Sequence, residues 1–293
     1  DGAQVRISVV GFDSGDEANR RLDGERVATI NSDLTSTIDL TQARRLSENV
    51  GIAFQGPVKV GPFELTPEFA KMMLDAPRNP NGRSNADVVK PWVNATDIVR
   101  RNREMMIIDF GNLSLADSAY YEMPFEYVRT HVEPLRRTNR DSQRRRNWWR
   151  LGRSGEDLRT TTAPLTRFVV TPRVAKFRLF AWVPTGTLPD SRVFAFARED
   201  DYFFGVLHSR IHEVWSLRLV SKHGVGNDPV YNTSTCLETF PFPWAPGTEP
   251  VDDERVVAIA EAAKELDAKR RAWLDPEGAS EAELKKRTLT NLY

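Results

Sequence analysis

Two apolar, aromatic-rich runs narrow the fold more than any other feature of this chain. They are RFVVTPRVAKFRLFAWVPTG, Arg167 to Gly186, and SRVFAFAREDDYFFGVLHS, Ser191 to Ser209, set around a Pro-Gly turn. β-Branched and aromatic residues at this density fit the pleated surface of a buried sheet, and Pro and Gly punctuate such strands. From Tyr202 the pattern changes, because YFFGVLHSRIHEVWSLRLV has a helical period that puts Leu207, Ile211, Val214 and Trp215 on one face. Strand runs joined to helices imply an α+β fold, β-rich with flanking helices. At 293 residues and 40% hydrophobic content, the chain can bury the core of one large or two ordinary domains.

The remaining segments fill in this outline. VRISVVGF (Val5 to Phe12) and ERVATINSDL (Glu25 to Leu34) read as β runs on either side of the acidic turn region DSGDEANRRLDG, and TQARRLSENV looks helical. IAFQGPVKVGPFELT is strand-like, and Thr66-Pro67-Glu68 then starts a helix towards Leu74, with Thr66 as cap and Pro67 in the first turn. After the polar loop APRNPNGRSNAD, REMMIIDFG reads as a buried strand, and Ser114 to about Arg146 as helical and increasingly basic. FPFPWAPGTEP excludes regular structure. DDERVVAIAEAAKELDAKRRAWL is the strongest amphipathic helix, acidic at its start and basic at its end, in line with the helix dipole. There is no internal repeat.

Several patterns imitate chemistry without carrying it. Cys236 is the only cysteine, which excludes an intramolecular disulfide and a multi-cysteine zinc site and fits a reducing compartment. No run of about 18 apolar residues is present to span a membrane, and DGAQVRISVVGF lacks the charged and apolar regions of a signal peptide, reading like a chain entered in mid-strand. NDPVY, Asn227 to Tyr231, resembles the Asn/Asp-Pro-Pro-aromatic loop of amino-methyltransferases, but Val230 stands where the second proline belongs and no Gly-rich turn precedes it. A plain turn is the better reading. HSRIHE sets His208 and His212 four apart with Glu213 beside them and His223 nearby, an order that does not match the zinc motif His-Glu-x-x-His, so packing or capping is expected and no metal. Pro189-Asp190 with Glu283-x-Lys285 is too widely spaced for a nuclease core, and no serine is marked as a nucleophile.

Net charge is zero, yet charge is unevenly placed. From Arg129 to Arg153 there are nine arginines against Glu133 and Asp141, whereas Glu249 to Lys285 is acidic. Within SQRRRNWWRLGRSG, five arginines surround Trp148 and Trp149. Arg136, Arg137, Arg140 and Arg144 fall at helical spacing and could line one face, too dense for the local carboxylates to neutralise, which favours a polyanion partner over a solvated face. Indoles stack on bases or pack beneath helices, and at least one of the adjacent pair is expected in the core.

An ordered series of segments carries a resemblance over nearly the whole chain, about Val5 to Tyr293: AFQG with FELTPEFAKMML, VVKPWVNATDI, EPLRRTNR with RRRNWWRLGR, APLTRFVVTPRVAKFRLFAWVPTG, GVLHSRIHEVW, YNTSTCLETFPFP and LTNLY. It resembles the C-terminal target-recognition region of MmeI-like, type IIL/IIG restriction-modification DNA adenine-N6 methyltransferases. The resemblance implies sequence-specific binding of double-stranded DNA in the bacterial cytoplasm, at the nucleoid, and positioning of a target adenine for a methyltransferase domain of the same parent chain. The nuclease domain, the S-adenosylmethionine Gly motif and the Asn-Pro-Pro-Tyr loop of that family are not in this sequence, and NDPVY falls too late in the family order to be the loop. Catalysis, S-adenosylmethionine and any magnesium are accordingly assigned to the parent, and no cofactor to these residues. The expected divisions are 1–50 as a lead-in, 51–247 as the recognition domain and 248–293 as a C-terminal helical segment.

DNA recognition needs cations on phosphates and a few side chains on base edges. The phosphate candidates are Arg136, Arg137, Arg140, Arg144, Arg145 and Arg150, with Arg173 and Lys176 from PRVAK. The idiosyncratic polar segment SKHGVGND offers Ser221, Lys222, His223, Asn227 and Asp228 as base readers. Two other classes compete: a structural module docking a partner protein through the acidic C-terminal helix, and a stand-alone enzyme that would have to bind S-adenosylmethionine itself.

Overall fold

The computed structural model describes residues 9–32, 34–36, 39–223 and 228–293. A small hairpin of β1 (Arg21–Leu22) and β2 (Glu25–Arg26) comes first. The two expected amino-terminal β runs are thereby corrected: Val5 to Ser8 lie outside the described residues, Val9 to Phe12 make no strand, with Phe12 95% exposed, and only Glu25–Arg26 of the second run is paired. β propensity without a packed face does not hold a strand. The expected helix at TQARRLSENV is also absent, replaced by single 3₁₀ turns at Leu40–Gln42 and Ser47–Asn49. Its Asn49 is buried, and Nδ2 donates to the carbonyls of Leu237 (3.0 Å) and Phe240 (2.8 Å).

β3 (Ala53–Gln55), β4 (Glu64–Leu65) and α1 (Pro67–Leu74) follow, with Thr66 Oγ1 accepting from Phe69 N as the cap residue should. β5 (Val89–Val93) leads into α2 (Ala95–Val99), opened by a capping box of Asn94 and Asp97, and then β6 (Met106–Ile108). The basic helical stretch is four helices: α3 (Leu115–Ala119), α4 (Glu122–His131), α5 (Glu133–Arg137) and α6 (Ser142–Arg146). Pro134 has no N–H to continue the ladder of α4, and the Asp141 carboxylate accepts from Gln143 N and Arg144 N to start α6 afresh. Arg136, Arg137, Arg140 and Arg144 therefore do not share one helix face.

α7 (Glu156–Thr162), β7 (Arg167–Pro172), β8 (Ala181–Pro184), β9 (Leu188–Pro189), β10 (Val193–Phe196), α8 (Asp201–Leu207) and α9 (Arg210–Leu219) come next. A hairpin of β11 (Ser221–His223) and β12 (Asp228–Val230), then α10 (Glu254–Leu274), α11 (Glu281–Leu284) and α12 (Leu289–Leu292), complete the chain. The single helical face expected from Leu207 to Trp215 is corrected, because α8 stops at His208 and Ser209 caps α9. Ile211 and Val214 are consequently 73% and 41% exposed, while His212 and Ser216 face inward.

Two four-stranded sheets result, ordered β3-β10-β7-β8 and β4-β6-β5-β9, antiparallel apart from the parallel β5/β9 pair. The first is covered by Phe203, Phe204 and Leu207 of α8 together with Tyr231 and Leu237; the second by Met73 of α1, Val128 of α4 and Trp149. α10 crosses α8 at Gly205, where a Cβ would stand 2.7 Å from Ile259 Cγ2, and its Ala263 joins the core beneath the first sheet. The fold is mixed α+β. Among the described residues no helix is long and apolar enough to cross a membrane.

Two of the four connections between the sheets lie side by side. One runs from β3 to β4 through Gly56, the other from β9 to β10 through Asp190 to Arg192. Gly56 N donates to Val193 O at 3.1 Å, and a Cβ on Gly56 would lie 2.3 Å from the carbonyl oxygens of both Pro189 and Asp190. Only glycine lets the backbones approach this closely.

Candidate nucleic-acid interface

Over this junction lies a run of three clefts that share walls. The first is lined by Arg144, Arg150, Arg153, Asn112, Gln143 and Asn147; it meets the second, with Lys59, Asn94, Thr96 and Arg192, at Val58. The second meets the third at Ala95 and Arg192, and there Arg173, Ser221, Lys222 and His223 line the wall. Residues far apart in sequence thus make one polar, predominantly basic groove.

The arginine cluster divides into two populations. Arg136 is 1% exposed: its Nε donates to Val60 O (2.6 Å), its Nη2 to Lys59 O (2.7 Å) and Arg150 O (3.2 Å), and burial lowers its pKa to about 10. As a phosphate contact Arg136 is corrected, because its donors are spent on backbone carbonyls. Arg150 is half-buried, donates to the carbonyls of Leu113 and Asn112, and lies 5.3 Å over the Trp149 ring. Arg145 Nη1 donates to Asn139 O and Arg140 O, binding the turn before α6. Arg137 is exposed but paired with Glu133, and Arg144 with Asp141 (3.2 Å). Arg140 is exposed in the turn, and Lys176 is exposed over the Phe177 ring. Both tryptophans pack: Trp149 is 7% exposed with Nε1 donating to Leu113 O, and Trp148 lies 5.5 Å from the Phe125 ring.

At the other end, Ser221, Lys222 and His223 are exposed on β11, and Asp228 pairs with His223 across the hairpin. Asn227 lies outside the described residues. Tyr231, the last residue of NDPVY, is fully buried, and its hydroxyl donates to His212 Nε2 (3.1 Å) while His212 Nδ1 donates to Leu207 O (2.9 Å). His208 Nδ1 donates to Phe204 O, and its Nε2 accepts from Arg270 Nη1 (2.7 Å). Both imidazoles of HSRIHE are committed to the core, while His223 is exposed on the hairpin. Among the described residues no three His, Cys, Asp or Glu are grouped to hold a metal ion.

The sequence reading missed three groove residues: Lys59, Arg153 and Arg192. Lys59 is paired with Glu64, and Arg153 Nη2 donates to Gln55 Oε1 (2.7 Å). Arg153 lies in the basic run of the sequence but is not among its phosphate candidates, while nothing local marks Lys59 or Arg192, which reach the groove through the crossing of the two sheets.

No protein-family model matches the sequence, and no curated protein matches it. Among solved structures, the chain is similar to a type IIL restriction-modification enzyme, MmeI, determined in complex with DNA; the TM-score is 0.64 at 16% identity. The match covers 92% of this chain and 35% of that one, so the described fold corresponds to about a third of the length of the enzyme it resembles.

Proposed function

We propose that the chain is the sequence-specific double-stranded DNA recognition region of a restriction-modification DNA adenine-N6 methyltransferase. The observation that carries this reading is the run of three adjoining clefts, basic in the first and third and charge-balanced in the second by Glu64 and Asp190, that ends at a polar hairpin. Half-buried Arg144 and exposed Arg153 of the first cleft, with exposed Arg140 in the turn before α6, sit on phosphates on one side, while Ser221, Lys222, His223 and, by its place in the hairpin, Asp228 read base edges at the other end. A two-stranded ribbon fits the major groove, where Lys donates to guanine and Asp accepts from cytosine. The likeness to an enzyme solved with DNA supports the same partner. S-adenosylmethionine binding and methyl transfer belong, in this reading, to a domain outside these residues, against which the recognition region holds the duplex while the target adenine is extruded.

Anisotropy titrations of a 20-base-pair duplex at several salt concentrations test the proposal. Affinity is expected to fall with salt at a log-log slope of about −0.9 per phosphate contacted, and the triple change Arg140→Ala, Arg144→Ala, Arg153→Ala to flatten the slope by about 2 to 3. No measurable binding in low salt would sink the reading and favour a protein-docking module.

A further inference from the structure

Arg173 and Arg192 face each other at the end of the central ladder of the first sheet. Val193 pairs with Pro172 in register, and one step further Arg173 N donates to Arg192 O at 2.8 Å. Directly opposed residues of an antiparallel pair project to the same face, and both side chains line the third cleft. Both are exposed, and among the described residues neither guanidinium has a carboxylate within ion-pair distance or a carbonyl to donate to. Like charges directly opposed on a strand pair destabilise it, a cost that an anion held between them would offset. The backbone beneath is fixed from several sides: Arg192 N donates to the buried Asp190 carboxylate (2.8 Å), Gln55 Nε2 to Ser191 O (2.6 Å), and Asp190 N to Val93 O (2.8 Å). A cation that merely screens a polyanion needs no such anchoring; two donors that must converge on one small group do.

We propose that Arg173 and Arg192 form a two-jawed clamp for a single phosphodiester, at the point where the second cleft meets the third, beside the β11–β12 hairpin. The clamp sets the register in which base edges are presented to Lys222 and its neighbours. It rests on the DNA-binding reading above and adds to it one shared phosphate, held by two residues from different strands.

Sharing is measurable because it breaks additivity. With the full chain and the same duplex at 0.1 M salt, Arg173→Ala and Arg192→Ala should each weaken binding about tenfold, and the double variant by no more than about threefold beyond the weaker single. Independent contacts would instead multiply to about a hundredfold, which overturns the clamp. A second arm does not depend on DNA. Inorganic phosphate should raise the thermal midpoint of the wild type more than of either variant at matched ionic strength, the difference between proteins removing the general salting effect. An equal rise in all proteins overturns the clamp. A phosphate effect confined to the wild type, with no duplex binding by any protein, retains the anion site and overturns only the DNA assignment.

Discussion

A residue's charge is a poor guide to its task until its donors are counted. Arg136 sits within the most basic part of the sequence, yet it ties the segment at Lys59 and Val60 to the turn at Arg150, a role for which a planar fork of five N–H groups is suited and an ammonium is not. His208 and His212 make the same point from the opposite side, since a spacing that mimics a metal site proves to be core. Burial depresses both imidazoles, to about 3 for His208, helped by Arg270, and to about 4 for His212, from an ordinary value near 6.5. The unfolded chain therefore takes up protons below about pH 6.5 while the folded chain does not, so stability is full above that pH and is lost on acidification. Between pH 6.5 and 5.5 the pair should cost about 2 kcal/mol, read as a fall in the urea midpoint, and His212→Gln should remove about half of that dependence. A midpoint that stays level across this interval would mean that the imidazoles are charged in the fold.

Elements differ in how openly the sequence declares them. The crossing at Gly56 is silent, because Gly56 and the Pro189–Asp190 peptide come from distant segments and the constraint is steric. Gly56→Ala should destabilise by about 3 kcal/mol or more, since the displaced atoms are backbone carbonyls that cannot turn aside; Gly11→Ala, at a position with open space and no left-handed backbone, serves as the comparison in urea unfolding. Equal losses in the two variants would show that the sheets can separate without cost. β7 and β10 were legible because each carries a nearly continuous apolar run, and α1 because Thr66 and Pro67 mark its start. The helices around Arg136 were legible only as helical character, since Pro134 and Asp141 decide the breaks. The amino-terminal strands misled because propensity was present without a partner. Of the groove, the hairpin and part of the arginine wall could be named from sequence. Arg192 could not, because its significance lies in facing Arg173.

Over the whole molecule the formal charge of zero conceals a division of labour. The acidic excess of Glu249 to Lys285 lies outside α10, whose four carboxylates are outnumbered by five bases; on it Glu261 is answered by Lys264, Glu265 by Lys269 and Asp267 by Arg271, so that helix offers a partner little unbalanced charge. The groove, by contrast, keeps cations at both ends of one rigid junction. If a single duplex lies along it, Arg153 in the first cleft and Lys222 in the third contact the same ligand without touching each other, and their contributions should add. Arg153→Ala should flatten the salt slope by about 0.9, Lys222→Ala should weaken binding to the preferred sequence with little change of slope, and the double variant should show both losses, with one duplex bound per chain throughout. Two duplexes per chain, or a double variant no worse than either single, would divide the groove into separate sites and remove the hairpin from the path of the DNA.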